Sequence, residues 1–185
     1  LIDRIVPEGS NNQDEGIHVG TEAIPAVFAQ RRANRGMEAV AFENELLYAF
    51  IQSPIDNPDT GNDVNSRASN IARILEFDTT IGKTTGQYIY MMEGSPVDKI
   101  GDAVSLGNGE FLVIERDSAT GPSSEKYIFK ISLEGATNLE ETEGLPIGPD
   151  EGLERQSVAG LATVGIMPVT VSYTHLTLPT NGCVL

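Results

Sequence analysis

The sequence has one cysteine, no tryptophan and few basic residues. The cysteine count excludes a disulfide within the chain, and the shortage of basic residues bears on nucleic acid as a partner. Cys183 is the only cysteine of the 185 residues, so no disulfide forms within the chain. Lys and Arg total 12 against 27 Asp and Glu, which gives a formal net charge of −15. Because nucleic-acid binding depends on cations that neutralise phosphates, this balance argues against nucleic acid as a partner.

Long apolar runs are also missing. No stretch approaches the roughly 20 residues that a membrane-spanning helix needs, so we expect no membrane span. The chain starts at Leu1 without a basic-then-apolar leader, and we expect a fragment or a mature form. Hydrophobic residues make up 39% of the chain, which is typical of a globular protein with a core. Nothing in the composition indicates an oligomeric state.

The short motifs of several common enzyme classes are absent. The sequence has no G-x-S-x-G nucleophile motif, no Walker phosphate loop and no H-E-x-x-H zinc motif. His18 lies in a polar, turn-rich leader, where a surface role is expected, and His175 lies near the end of the chain. Function must therefore be sought in the arrangement of the strands.

Short apolar strands separated by turn residues are abundant. The predicted strands are EAVAF (38–42), LLYAFIQ (46–52), ARILEFD (72–78), GQYIYMM (86–92), DAVSLG (102–107), EFLVIERD (110–117) and KYIFKISL (126–133). Asn108-Gly109 is the strongest hairpin signal among the turns between them. A short helical turn is expected before Gly36, and a helix within residues 151–166.

The strand pattern repeats. A shift of 64 positions places Glu38 on Asp102 and carries the following hairpin with it, while the next strand returns at an offset of 54. Four antiparallel strands repeating over about sixty residues predict an all-β, β-propeller-like fold with two to three blades, at about 36–95 and 100–145. A β-sandwich is the alternative, but it does not predict the repeat.

In a propeller, the start of the innermost strand and the end of the second strand reach the same face. Glu38 and Asp102 would then meet the strand ends Gln52-Ser53 and 115–117 at the channel mouth. Carboxylates held close together repel one another, and calcium, which accepts six to eight oxygen ligands, relieves that repulsion. The alternative is that each acid caps a turn or forms an ion pair at its strand end.

The loop PIDNPDTGNDVNSR (54–67) is rich in Asp and Asn. The spacing of Asp56, Asp59 and Asp63 does not match an EF-hand loop, which needs ligands at alternate positions and a closing glutamate. A solvated loop is the favoured interpretation because Asp, Asn and Gly are common in turns. A lid over the site is the alternative.

Several segments together resemble the phytase-like, esterase-like family of bacterial proteins. They are RRANRGMEAVAF, LLYAFIQSP, RILEFDTTIGKTTGQYIYMME, GDAVSLGNGEFLVIERD and KYIFKISL, in order over about residues 24 to 170. The family is similar to β-propeller phytases, which are secreted, depend on calcium and cleave phosphomonoesters. The resemblance carries Glu38 onto the acid of an N-R-G-x-E motif and Glu115, Arg116 and Asp117 onto an E-R-D motif. Met37 and Ala39 depart mildly from the family pattern.

The last residues depart from the family more strongly. After GIMPV the sequence runs into TVSYTHLTLPTNGCVL, and SYTHLTLPT resembles translated adapter sequence. We expect residues 1–170 to be a propeller fragment and residues 171–185 to be a non-native tail, in which His175 and Cys183 have no function. The alternative is a genuine strand, since VTVSYTHLTL alternates in polarity.

The resemblance implies an extracellular or periplasmic hydrolase of small anionic esters or phosphates that uses Ca²⁺. Three sets of residues then follow: catalytic Glu38, Glu115 and Arg116; substrate-binding Arg35, Gln52 and Arg116; and metal-binding Glu38, Asp102, Glu115 and Asp117. A non-catalytic propeller that binds a partner on the same face is a second hypothesis. A purely structural surface repeat protein is a third. Fold alone does not decide among them.

Overall fold

The computed structural model of the chain describes residues 3–12, 14–94, 97–141 and 152–172. Regular structure there is dominated by ten strands. They are β1 (Ile5–Pro7), β2 (Thr21–Ile24), β3 (Met37–Glu43), β4 (Leu46–Ile51), β5 (Ile71–Asp78), β6 (Lys83–Met91), β7 (Lys99–Gly107), β8 (Glu110–Arg116), β9 (Lys126–Ser132) and β10 (Thr170–Ser172). Two short α-helices accompany them, α1 (Val64–Ala68) and α2 (Val158–Thr163).

Short turns of 3-10 helix fill several of the connections. They span Ala26–Gln30, Gly61–Asp63, Gly121–Ser123, Leu139–Glu141 and Leu153–Arg155. The first of these confirms the helical turn predicted before Gly36. The helix predicted within residues 151–166 is instead broken into a 3-10 turn and α2. The break lies at Ser157, an extended residue whose hydroxyl accepts the Gly160 N–H and caps α2.

The predicted hairpins form at turns whose residues tolerate a left-handed backbone. Asn44 and Glu45 join β3 to β4 with φ of 48° and 66°, and Asn108 and Gly109 join β7 to β8 with φ of 56° and 71°. Asn and Gly adopt positive φ at low cost, whereas Glu45 does so only at some cost, and two positive-φ residues in succession match the twist of the flanking strands. The turn chemistry visible in the sequence therefore sets these hairpins.

The strands assemble into two antiparallel sheets of four, which confirms the all-β prediction. The order is β3-β4-β5-β6 in the first sheet and β7-β8-β9-β10 in the second. The strands β1 and β2 form a separate parallel pair. The second sheet takes its fourth strand from Thr170–Ser172, beyond the boundary of about 145 expected for that repeat.

The chain between β9 and β10 packs over the first sheet, which explains the late fourth strand. Leu153, Leu161 and Ile166 are fully buried there against Ile71 and Ile89. Residues 142–151 of the acidic stretch, and residues 173–185 of the expected non-native tail with His175 and Cys183, lie outside the described residues. The prediction about that tail stays a prediction.

The main core lies between the two sheets. Tyr48 and Phe50 of β4 meet Phe111 of β8 edge to face, with ring centroids 4.8 and 5.7 Å apart. Phe129 and Ile131 of β9 belong to the same buried cluster. Burial of large aromatic and aliphatic side chains at about 1.5–3 kcal/mol each is the main force that holds the sheets together.

The first strand of each sheet in chain order, β3 or β7, is called its inner strand because it lies against the other sheet's first strand. The two inner strands run side by side in the same direction. Near their ends the Ser105 hydroxyl donates to Glu43 Oε2 at 2.8 Å, and near their starts the Ile100 N–H donates to the Gln52 carbonyl at 2.7 Å. The starts of both inner strands and the ends of both second strands therefore lie together at one end of the molecule.

Residues of β3 and β7 that are equivalent by strand pairing differ by one position from those that the 64-residue sequence shift aligns. Ala39 pairs with Phe50 in the first sheet, whereas Asp102 pairs with Ile114, the residue 64 positions after Phe50. The cause is a register shift between Ser105 and Gly107 that has no counterpart in β3. Asp102 thus corresponds to Ala39 by pairing.

Each inner strand also has a bulge near its start. The extra residue is Glu38 in β3 and Gly101 in β7, because pairing shifts between Met37 and Ala39 and between Ile100 and Asp102. Glu38 therefore corresponds to Gly101 by pairing. The coincidence of Glu38 with Asp102 is a property of the sequence alignment and not of the strand register.

Candidate functional site

The candidate site lies where the inner strands start and the second strands end. The Gln52 N–H donates to the Gly36 carbonyl at 2.8 Å, so the segment after β4 runs beside the segment before β3. We call Arg35, Gln52, Ser53, Asp98 and Lys99 the strand-end site. Ile100, the residue after Lys99, joins this group to Gln52 through its own N–H.

Asp98 is shared by two cations at the strand-end site. Arg35 Nη2 lies 3.3 Å from Asp98 Oδ2, and Lys99 Nζ lies 2.9 Å from Asp98 Oδ1. Lys99 is buried and also donates to the Ser118 hydroxyl. The Arg35 side chain is 19% exposed and its Nη1 is buried, so the guanidinium is largely shielded from water. Two cations against one carboxylate leave the site with excess positive charge.

Three polar atoms at this site have no hydrogen-bond partner within the described part of the chain. They are Arg35 Nη1, Ser53 Oγ and Asp98 Oδ1, and Ser53 is only 1% exposed. Buried polar atoms are nearly always paired in folded proteins, so unpaired atoms on neighbouring segments mark this end of the sheets as a candidate place for a ligand. Gln52, the residue before Ser53, is also buried.

Glu115, predicted to be catalytic and metal-binding, is fully buried and holds the end of β6. Its carboxylate accepts hydrogen bonds from the Tyr90 hydroxyl, from the Glu93 N–H at 3.0 Å and from the Gly94 N–H at 2.7 Å. Burial raises the pKa of Glu115, against the hydrogen bonds, which lower it. These contacts are those of a residue that links the two sheets.

Arg116 and Asp117, the rest of the E-R-D motif, have different surroundings. The Arg116 side chain lies over Gly101, where an added Cβ would approach its Cδ and Nε to 3.1 Å, and Arg116 forms no ion pair within the described residues. Asp117 pairs with Lys126 Nζ at 2.8 Å, and that hydrogen bond is the main cause that lowers the pKa of Asp117. Arg116 Nη1 donates to the Asp117 carbonyl at 3.4 Å, and no carboxylate in the described part of the chain holds this guanidinium.

Glu38 and Asp102 are both exposed. Glu38 occupies the bulge at the start of β3, whereas Asp102 lies on the face of the second sheet that points away from the first, beside Val104 and Ile114. The structure does not bring these two carboxylates together with Glu115 and Asp117.

The four residues predicted to bind calcium do not meet at one place in the described part of the chain. No group of three or more His, Cys, Asp or Glu side chains within the described ranges is arranged to hold a metal ion. Of the four predicted ligands, Glu115 is committed to Tyr90 and two backbone amides, and Asp117 to Lys126. These four residues do not form one set of ligands for a cation.

The Asp-rich loop after β4 is ordered by Asp56. This residue is 2% exposed and accepts hydrogen bonds from the Thr60 N–H at 2.7 Å and from the Asn65 N–H at 2.8 Å. Burial alone would raise the pKa of Asp56, but these bonds and one from Ser66 lower it. The start of the loop is thus part of the packed structure, whereas Asp59 is solvated as predicted.

A buried polar network beside this loop was not foreseen from the sequence. Arg73 contacts Glu154 through Nε at 2.6 Å and Nη2 at 3.2 Å, and its Nη1 contacts Gln87 at 3.1 Å. Asn57 donates to the same Glu154 at 2.8 Å. The signal available was a lone arginine inside the apolar strand ARILEFD, which indicates a paired charge.

Comparison with known proteins shows the family to which the chain belongs. The family model described as "Phytase-like: Esterase-like activity of phytase" matches residues 9–171. The chain belongs to this phytase-like family. The matched range includes the whole strand-end site and both sheets except Ser172, the last residue of β10, and it confirms the resemblance found in the sequence. No curated protein and no solved structure matches this phytase-like chain. Its described helices are all too short to cross a membrane.

Proposed function

We propose that this phytase-like protein hydrolyses ester bonds of small anionic substrates, which Arg35 holds at the strand-end site. The observation that carries the proposal is the Arg35 guanidinium, largely buried and with Nη1 unpaired among the described residues. A charged donor in a partly dehydrated position binds an oxyanion more strongly than one in bulk water. Family membership supports hydrolysis as the chemistry.

The reaction we propose needs one base and an anion-binding group. Glu38, an exposed carboxylate three residues after Arg35, takes a proton from a water molecule as that water attacks the ester. The ester bond breaks, and the leaving oxygen takes the proton from Glu38, so that the alcohol departs and the Glu38 carboxylate is restored. Arg35 and Arg116 stabilise the negative charge that develops on the attacked group. Gln52 is proposed to orient the substrate from the end of β4.

We also propose that the two sheets are adjacent blades of a propeller. Tyr48 and Phe50 lie on the face of the first sheet that meets the second. Their counterparts at an offset of 64, Leu112 and Ile114, lie on the opposite face from Phe111, and hence point away from the first sheet. Stacking in the same sense supports successive blades over a sandwich, whose sheets would turn equivalent faces toward each other.

Calcium use and an extracytoplasmic location belong to the same proposal, on the strength of the resemblance. A non-catalytic propeller that binds an anionic partner at the strand-end site is the second candidate. The observation that favours it is the use of Glu115 and Asp117 in structural contacts, which removes two acids from the chemistry.

The test is hydrolysis of chromogenic esters by the purified chain. We expect turnover of 4-nitrophenyl phosphate or a 4-nitrophenyl carboxylic ester that is lost in Glu38→Gln, measured with added calcium and with a chelator. Lys83→Gln, an exposed change on β6, is the control. Activity that Glu38→Gln leaves unchanged would contradict the proposal. Anion binding without turnover of either ester would favour the binding module.

A further inference from the structure

Lys99 is a buried cation to which the proposed reaction gives no role. Its side chain is only 4% exposed, although lysine is seldom buried unless it is paired. The ammonium donates to the Ser118 hydroxyl and lies 2.9 Å from Asp98 Oδ1. Asp98 in turn contacts Arg35, the group proposed to hold the substrate. Lys99 is therefore linked to Arg35 through a shared carboxylate.

The contact between Arg35 and Asp98 is made by a single pair of atoms. Arg35 Nη2 donates to Asp98 Oδ2 at 3.3 Å, whereas Arg35 Nη1 and Asp98 Oδ1 are both buried without a hydrogen-bond partner in the part of the chain that the structure describes. A guanidinium and a carboxylate that meet frequently form two parallel hydrogen bonds instead. Two groups that already touch thus leave one donor and one acceptor unused.

The position of Lys99 accounts for the missing second hydrogen bond. Its ammonium lies close to Asp98 Oδ1 but outside the angles of a hydrogen bond, so the attraction between them is one of charge. Because both groups are shielded from water at this contact, that attraction is strong enough to hold the oxygen. The Ser118 hydroxyl holds the ammonium in turn, which keeps Oδ1 beside Lys99 and away from Arg35 Nη1.

We propose that Lys99 is a positioning residue for ester hydrolysis, which holds Asp98 Oδ1 and so leaves Arg35 Nη1 to the anionic group of the substrate. The inference rests on the proposed function, in which Arg35 binds that group. Without Lys99, the Asp98 carboxylate would turn until it accepts both hydrogen bonds from Arg35. The guanidinium would then be neutralised, and its buried nitrogen occupied, before the substrate arrives.

The first experiment compares kcat and KM of wild type and Lys99→Met for the anionic ester that the wild-type chain hydrolyses best. We expect KM to rise about tenfold with kcat nearly unchanged, because Arg35 Nη1 holds the anionic group in the ground state and in the transition state alike. The variant should fold, since the Asp98 side chain is 47% exposed and keeps its hydration. Partial unfolding would instead lower kcat and leave KM as it is. Lys130→Met is the matched control, because Lys130 pairs with Glu110 outside the strand-end site.

A double-mutant cycle with Asp98→Asn separates this role from a simple loss of positive charge. If Lys99 acts through Asp98, Lys99→Met should change KM by no more than about twofold in the Asp98→Asn background, because the amide has no charge with which to compete. If Lys99 only attracts the anionic substrate, KM should rise equally in both backgrounds. Equal rises, or a Lys99→Met variant whose KM matches wild type, would overturn the inference.

A crystal structure of Lys99→Met tests the contact directly and does not depend on turnover. We expect a second hydrogen bond in the variant, from Arg35 Nη1 to Asp98 Oδ1. A pair still joined by one hydrogen bond would overturn the inference even where the wild-type chain hydrolyses esters. A wild-type chain without ester turnover, whose Lys99→Met variant shows the closed pair, would reject the hydrolase and keep the effect of Lys99 on Arg35. The two failures are therefore distinguishable.

Discussion

At the scale of single residues, Tyr90 and Glu115 form the most buried polar contact between the two sheets. The Tyr90 hydroxyl from β6 donates to the carboxylate from β8, and both side chains are fully buried. A hydrogen bond to a charged group contributes more than one between neutral groups, and its loss leaves a buried acceptor without its donor. The contact therefore stabilises the packing of the second sheet on the first.

Tyr90→Phe should lower the free energy of unfolding by about 1–3 kcal/mol, because it removes that donor alone. Tyr88→Phe is the matched control. Its hydroxyl reaches Glu76 at 3.2 Å in a half-buried position, so a smaller loss is expected. Denaturant unfolding followed by circular dichroism measures both. Equal losses in the two variants would contradict the role given to Tyr90.

Glu115 also predicts a pH dependence of stability. Since burial raises its pKa, the folded protein holds the proton more tightly than the unfolded chain does. Its contribution to stability is present below the ordinary glutamate pKa of about 4.3 and is lost as the pH rises through the raised folded value. Glu115→Gln has no such titration.

The stability of Glu115→Gln relative to wild type should therefore improve from about pH 4 to about pH 7. Free energies of unfolding measured across this range test the sign. A difference that stays constant, or that moves in favour of wild type as the pH rises, would show that Glu115 is not held with a raised pKa.

At the scale of elements, the sequence predicts strands and turns better than it predicts which side chains meet. Hairpins depend on local residues such as Asn108 and Gly109, and these are visible in the sequence. The register of β7 depends on a one-residue shift between Ser105 and Gly107, and no local signal marks it. That shift separates Asp102 from its sequence counterpart Glu38.

Only some residues of the strand-end site were predicted from the sequence, because the others depend on contacts between distant segments. Arg35 and Gln52 were found because they belong to motifs at strand ends. Asp98 and Lys99 were missed because their importance comes from the packing of β7 against β3, a contact between segments more than fifty residues apart. The buried Arg73–Glu154 pair joins segments still further apart, and only the oddity of an arginine in an apolar strand indicated it.

The Arg73–Glu154 pair gives a prediction about how the segment after β9 is held on the first sheet. Both side chains are fully buried, so Arg73→Met leaves an uncompensated carboxylate and should cost about 3–5 kcal/mol in the free energy of unfolding. Arg73→Met combined with Glu154→Leu should recover much of that loss, because an apolar pair needs no charge compensation.

Lys126→Met is the control for this pair. Lys126 and Asp117 form an ion pair that is partly exposed, so the loss should stay below about 1 kcal/mol. Denaturant unfolding of the three variants measures these effects. A double variant no more stable than Arg73→Met would mean that Arg73 acts through something other than Glu154.

At the scale of the whole molecule, the two sheets form a frame that holds a small cationic site on an acidic protein. Repulsion from the remaining surface disfavours anions elsewhere, so the arginines at the start of β3 are where an anionic substrate is expected to bind. The interlocked inner strands β3 and β7 fix Arg35 against Asp98. Family membership and this electrostatic arrangement together support the proposal of an ester hydrolase with an anionic substrate.

The most direct test of this account is the kcat/KM of wild type and Arg35→Gln for the ester that the wild-type chain hydrolyses best. Loss of one charged hydrogen bond to the substrate, about 1.5–3 kcal/mol, predicts a decrease of roughly 10- to 100-fold, with Lys83→Gln unchanged. An Arg35→Gln variant as active as wild type, or a wild-type chain that hydrolyses no anionic ester, would contradict it.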